Sequence, residues 1–170
     1  MNKILIFLLL TTYGTFGQNI VWNESETIGL VPAKKWTSTS EGDNLNFRLT
    51  APFSSDPFKG NLGISTAPTL NWTLDELWTE YVTKGFPVSV NGYKKIDEGE
   101  SSVDGQKSRW IEFYSENQGI KFQGYSEIFI KDNVMYIVTL TSIPKYYDDI
   151  ESDFKEMINS IRIKTVANTK

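Results

Sequence analysis

Apolar and polar residues alternate without a break through Leu45-Asn46-Phe47-Arg48-Leu49-Thr50, the two-residue period of a strand with one buried face. Residues 51–59, rich in proline and serine, predict a loop. Residues 60–67 follow, with Leu62 and Ile64 on one face, and the two segments pair as a hairpin. Four more strands are predicted at 93–102, 107–115, 120–131 and 134–142. Short turns join them, among them Asp104-Gly105, the kind of pair that two-residue hairpin turns favour, and the 116–119 turn ending in Gly119. The run from Val134 to Leu140 is nearly all apolar, which places that strand in the middle of a sheet, covered on both sides.

Two segments follow a helical period instead. Thr73 and Glu76 make a capping box, in which each side chain bonds the other's backbone N–H. Leu74, Leu77, Trp78, Tyr81 and Val82 then recur on one face. Trp72 is placed to pack on Leu77, Gly85 reads as a left-handed stop, and Pro87 bars continuation. Pro144 opens the second helix, whose face is Tyr147, Ile150, Phe154, Met157, Ile158 and Ile161. Asp148, Asp149 and Glu151 are expected in its first turns, where the helix dipole favours carboxylates. Residues 19–35 have weak periodicity and read as an irregular lead-in with one short strand. An edge strand is expected at 36–40 and a turn at 41–44.

The N-terminus has a different pattern. Lys3, an unbroken apolar run at 4–10 and a small polar exit ending at Gly17 have the layout of an export signal. The run is too short to span a bilayer, which takes about 20 apolar residues. Cleavage is expected after Gly17. The organisation is thus a leader at 1–17, an irregular lead-in at 18–30, one domain at 31–163 and a polar tail at 164–170. The expected location is the periplasm or the exterior, as a soluble protein with no membrane span after cleavage. Without cysteine, it is not a lipoprotein.

The order of hairpin, capped helix, four-stranded meander and C-terminal helix resembles the PsbP-like family, which includes the PsbP, DcrB and Mog types. The resemblance is carried by NLGISTAPTLNWTLDELWTEY at 61–81, SSVDGQKSRWIEFY at 101–114 and MYIVTLTSIPKYYDDIESDFKEMINSIRI at 135–163. It covers about 31–163 as a pattern of spacing. It implies an α+β fold, an antiparallel β-sheet flanked by helices in an α/β/α sandwich. It implies no common reaction, and members mostly bind or assist other proteins. The lipid-anchor cysteine of the DcrB type and the histidines discussed for PsbP proteins are absent from this chain.

Composition narrows the chemistry. The 170 residues include no His and no Cys, which removes imidazole bases, Ser-His-Asp triads and thiolate sites. A formal charge of −4 provides no basic footprint for nucleic acid. The acidic run Asp97-Glu98-Gly99-Glu100, with Asp104 nearby, is the one local place for a hard cation. Strand alternation would point Asp97 and Glu98 to opposite faces, and a bulge near Gly99 would be needed to gather them, so no metal site, metal-dependent activity or cofactor is expected. Glu112 and Glu127 alternate with Trp110, Tyr114, Tyr125 and Phe129 and form the best carboxylate pair for a hydrolase. The leading expectation is nonetheless a non-catalytic binding or accessory module with a protein partner in the cell envelope. A sugar or lipid carrier using exposed aromatics, or a carboxylate-based hydrolase, is the alternative. Trp36, Tyr93, Tyr146 and Tyr147 are the candidate binding surface.

Overall fold

The computed structural model describes residues 19–38, 47–52 and 60–164. The leader, the 41–44 turn, most of the 51–59 loop and the tail from 165 onward lie outside the described residues. Strand alternation sets the frame. Strands β3 (Thr37–Ser38), β4 (Phe47–Thr50), β5 (Asn61–Pro68), β6 (Lys94–Val103), β7 (Gln106–Asn117), β8 (Ile120–Lys131) and β9 (Val134–Ser142) form one antiparallel sheet among the described residues. Its spatial order is β3-β4-β5-β9-β8-β7-β6. The apolar strand β9 therefore sits at the centre.

Three two-residue turns tie the meander. Asp104 and Gly105 have φ of 48° and 75°, Gln118 and Gly119 51° and 79°, and Asp132 and Asn133 52° and 60°. Positive φ at both central residues suits the right-handed twist of paired strands. These turns fix the register, and the register fixes which side chains share a face.

Helix α3 (Pro144–Asn159) covers one face. Its Tyr147, Ile150, Phe154, Met157 and Ile158 pack in a single core with Leu62 and Ile64 of β5, Tyr125 and Phe129 of β8, and Val138 and Leu140 of β9. The opposite face takes a second helical segment. It runs as α1 (Leu74–Leu77), a stretch of wider π-helical turns at Trp78–Gly85, and α2 (Phe86–Ser89). Leu77, Trp78 and Val82 pack there on Ile111, Phe113, Ile128 and Met135.

Several expectations are corrected. The capping box is present, with Thr73 N–H donating to Glu76 Oε2 at 2.7 Å and Glu76 N–H to Thr73 Oγ1 at 3.3 Å. The helix does not stop at Gly85, which is right-handed at φ −75°. Its glycine is needed for closeness: a Cβ there would lie 3.0 Å from the Glu80 carbonyl oxygen. Each π turn takes more residues than an α turn, so Trp78 and Val82 stay on the buried face while Tyr81 swings out to 45% exposure. Trp72 is also exposed. In α3, the first turn holds no acidic residue, and the dipole effect fades within that turn. Asp148, Asp149 and Glu151 lie beyond it, and Glu151 pairs with Lys155. The lead-in is joined to the domain: β2 (Ile28–Leu30) pairs with β1 (Val21–Trp22) and with β10 (Arg162–Ile163), and Ile28 and Leu30 lie in the α3-side core.

Candidate functional site

Helix α3 lies over β8 and β9, so β7 and the edge strand β6 extend beyond it on the same face. The register fills that uncovered part in rows. Asp97 stands opposite Glu112, which stands opposite Tyr125. Gly99 stands opposite Trp110, which stands opposite Glu127. With one side of α3 as the far wall, Asp97, Glu100 and Ser101 of β6, Trp110 and Glu112 of β7, and Tyr125 and Glu127 of β8 line a cleft of about 450 Å³. From the helix come Glu151, Lys155, Ile158 and Asn159.

The aromatic pair is built by a glycine. A Cβ on Gly99 would fall 2.8 Å from Trp110 Cζ2 and 2.9 Å from its Nε1, so the bare backbone of β6 lets the indole lie close. Glycine in a strand interior often marks such an approach. Trp110 stacks on Tyr125 with centroids 5.5 Å apart and planes 12° from parallel. Tyr125 meets Phe154 of α3 edge-on at 5.2 Å, which couples the cleft wall to the core.

Glu127 is the unusual member. It is 2% exposed, the one carboxylate among the buried residues described. Ser108 Oγ donates to its Oε1 at 2.5 Å and the Tyr125 hydroxyl to its Oε2 at 3.0 Å. Both donors are neutral. Enclosing a carboxylate without a cation costs several kcal/mol in general, and two hydroxyls recover only part of that. Glu112 accepts from Gln123 Nε2 at 2.7 Å. Among the described residues, no lysine or arginine pairs with Asp97, Glu112 or Glu127. Among the described residues lining the cleft, the one cation, Lys155, is engaged with Glu151 at 2.6 Å.

Two phenols report this environment. Burial, then the charge of Glu127, pushes Tyr125 well above the usual phenol range. Burial, then the charge of Glu112, does the same for Tyr147. The Tyr147 hydroxyl is enclosed without a hydrogen bond of good geometry, although it faces Glu112.

The sequence-predicted residues divide clearly. Glu112 and Glu127 are brought together with Trp110 and Tyr125. The acidic run is dispersed. The bulge falls between Lys95 and Asp97 rather than at Gly99; Glu98 pairs with Lys95, Glu100 with Lys107 and Asp104 with Lys131. Among the described residues, no three carboxylates converge closely enough to hold a metal ion. The four aromatics Trp36, Tyr93, Tyr146 and Tyr147 do not form one surface. Trp36 is 6% exposed, its Nε1 donating to Asp153 at 3.0 Å, and Tyr147 is 1% exposed in the α3-side core. Tyr93 packs on the other face against Phe86 and Phe113. Tyr146 is half-buried beside Lys145. Aromaticity alone selected them, and apolar packing claims aromatic rings before ligands do. Gly99 and Ser108 were missed. The signal for Gly99 was a glycine inside a strand opposite a tryptophan.

No protein-family model and no curated protein matches the chain in sequence. Solved structures do match in shape. LpqN of Mycobacterium tuberculosis, involved in cell envelope biogenesis, aligns with a TM-score of 0.68 at 9% identity over 86% of this chain and 90% of its own. The cyanobacterial PsbP of Synechocystis sp. PCC 6803 aligns at 0.59 and 11% identity over 91% and 99%. The Saccharomyces cerevisiae Ran-binding protein Mog1p aligns at 0.60 and 9% identity over 85% and 94%. The chain has the PsbP-like fold, an antiparallel sheet between helices.

Proposed function

We propose that the chain is an exported, non-catalytic binding or accessory module that seats a ligand group in the cleft between β6–β8 and α3. The observation that carries this reading is the cleft itself, with a stacked aromatic wall and a buried carboxylate that lacks a counter-charge. The fold alone assigns no reaction, and it serves a Ran-binding protein and a protein of envelope biogenesis elsewhere. The hydrolase alternative is weaker on geometry. Glu112 and Glu127 stand on adjacent strands of one sheet face rather than on opposite sides of a bond to be cut, as the two carboxyls of a glycosidase do. No helix among the described residues is long and apolar enough to cross a membrane. Export rests on the leader pattern, and charged residues in place of Leu8, Leu9 and Leu10 should hold the protein in the cytoplasm.

Affinity capture from envelope extract, with the wild type and Trp110→Ala as baits, tests the binding reading. A species held by the wild type and lost from the variant supports it. Identical captures from both baits would remove the cleft from the binding function.

A further inference from the structure

We propose that the cleft recognises an alkylammonium group, with the charged end held among Asp97, Glu112 and Glu127 and the methylenes laid along Trp110 and Tyr125. This inference rests on the reading of the cleft as a binding site and adds the chemistry of what enters it.

Charge decides the sign of the ligand. Asp97, Glu112 and Glu127 line the cleft without a lysine or arginine partner among the described residues, and Lys155 is tied to Glu151. An anion would meet uncompensated repulsion there, whereas a cation would complete the pairing that Glu127 lacks. Geometry then decides between a metal and an organic cation. A metal needs several oxygens at about 2.0–2.6 Å together, and no three carboxylates among the described residues come that close. An ammonium needs one or two oxygens at about 2.8 Å and gains from the others through space. The Trp110–Tyr125 pair gives methylenes an apolar wall, and about 450 Å³ is room for a short aliphatic amine. A second observation points the same way: Glu127, which lines the cleft, is itself 2% exposed and has only two neutral hydroxyls as hydrogen-bond partners.

The chemistry could arrive on a free diamine or on a lysine side chain of a partner. Calorimetry of the purified protein with 1,5-diaminopentane, N-acetyl-lysine methylamide, 1-pentanol and hexanoate separates these. Saturable binding of the amines, at least tenfold tighter than either amine-free probe, is expected. Tighter binding of the diamine would assign a small molecule, and tighter binding of the lysine amide a protein side chain. Glu112→Gln and Asp97→Asn should each weaken amine binding about threefold or more. Glu127→Gln should weaken it tenfold with no loss of stability, because the amide oxygen can keep a hydroxyl bond; Glu112→Gln and Asp97→Asn carry the test should that variant misfold. Binding of 1-pentanol or hexanoate but not of amines would overturn the ammonium inference and leave the cleft as a binding site. Amine binding unchanged in all three carboxylate variants would overturn it too. Binding of none of the four probes would overturn both.

Discussion

Trp78 is where the capped helix meets the sheet, and Trp78→Ala measures that contact. The side chain is 2% exposed and packs with Leu77 and Val82 on Ile111 and Phe113. Replacing a buried tryptophan with alanine costs about 3–5 kcal/mol in transfer and cavity terms. The Arg109 guanidinium lies 4.4 Å from the ring centroid, a contact worth about 0.5–1 kcal/mol at a partly exposed site. Arg109 also bonds Asp75 at 3.2 Å, and its buried Nε has no hydrogen-bond partner. Water entering the cavity would solvate that Nε and recover a little, so the expected loss is about 4 kcal/mol. For a domain of this size that lowers Tm by roughly 8–16 °C. Urea denaturation followed by far-UV circular dichroism gives the value without depending on tryptophan fluorescence. An Arg109→Ala partner in a double-mutant cycle should show a coupling of about 0.5–1 kcal/mol. A loss below about 1 kcal/mol for Trp78→Ala would refute the helix phase and with it the π-turn account of why Tyr81 points outward.

Other outcomes follow from single contacts. Thr73→Ala removes the capping box and should lower Tm by about 2–4 °C with no change in the sheet's spectroscopic signature; no change in Tm would mean the cap is idle. Tyr125 and Tyr147 stay protonated in the fold, while unfolded phenols ionise near pH 10. Their contribution is complete below that pH and is lost as pH rises above it, by about 1.4 kcal/mol per unit per phenol. Urea midpoints should therefore fall between roughly pH 10 and 11, with a shallower fall in Tyr147→Phe; equal slopes would place Tyr147 outside the core. Gly99→Ala puts a Cβ 2.8 Å from the Trp110 indole, so the ring must tilt off Tyr125. Near-UV circular dichroism should change while the far-UV spectrum does not, and an unchanged near-UV signal would contradict the stacking.

Much of the fold is legible because its turns are local. Asp104-Gly105 announces its own geometry, and once each turn is placed the register and both faces of the meander follow. The central place of β9 is readable from its apolar run for the same reason. What escapes is whatever depends on distant packing. Gly85 and Pro87 look like a stop, yet a widened turn carries the helix past them. Ile28 and Leu30 sit in a segment with no period, and only the partner strand at 162–163 and the core beneath α3 explain their burial. The site is half legible. The alternation places Glu112, Glu127, Trp110 and Tyr125 on one face. It does not say that α3 stops short of β7, which is what turns that face into a cleft.

The most direct test follows the Trp110 indole N–H by NMR during titration with 1,5-diaminopentane. The chain has five tryptophans, so the others serve as internal references. The account predicts a saturable shift of Trp110, with Trp22 and Trp72 unmoved and the midpoint moved to about tenfold higher amine concentration in Glu127→Gln. A Trp110 signal that stays fixed while the amine binds elsewhere, or does not bind, would contradict it.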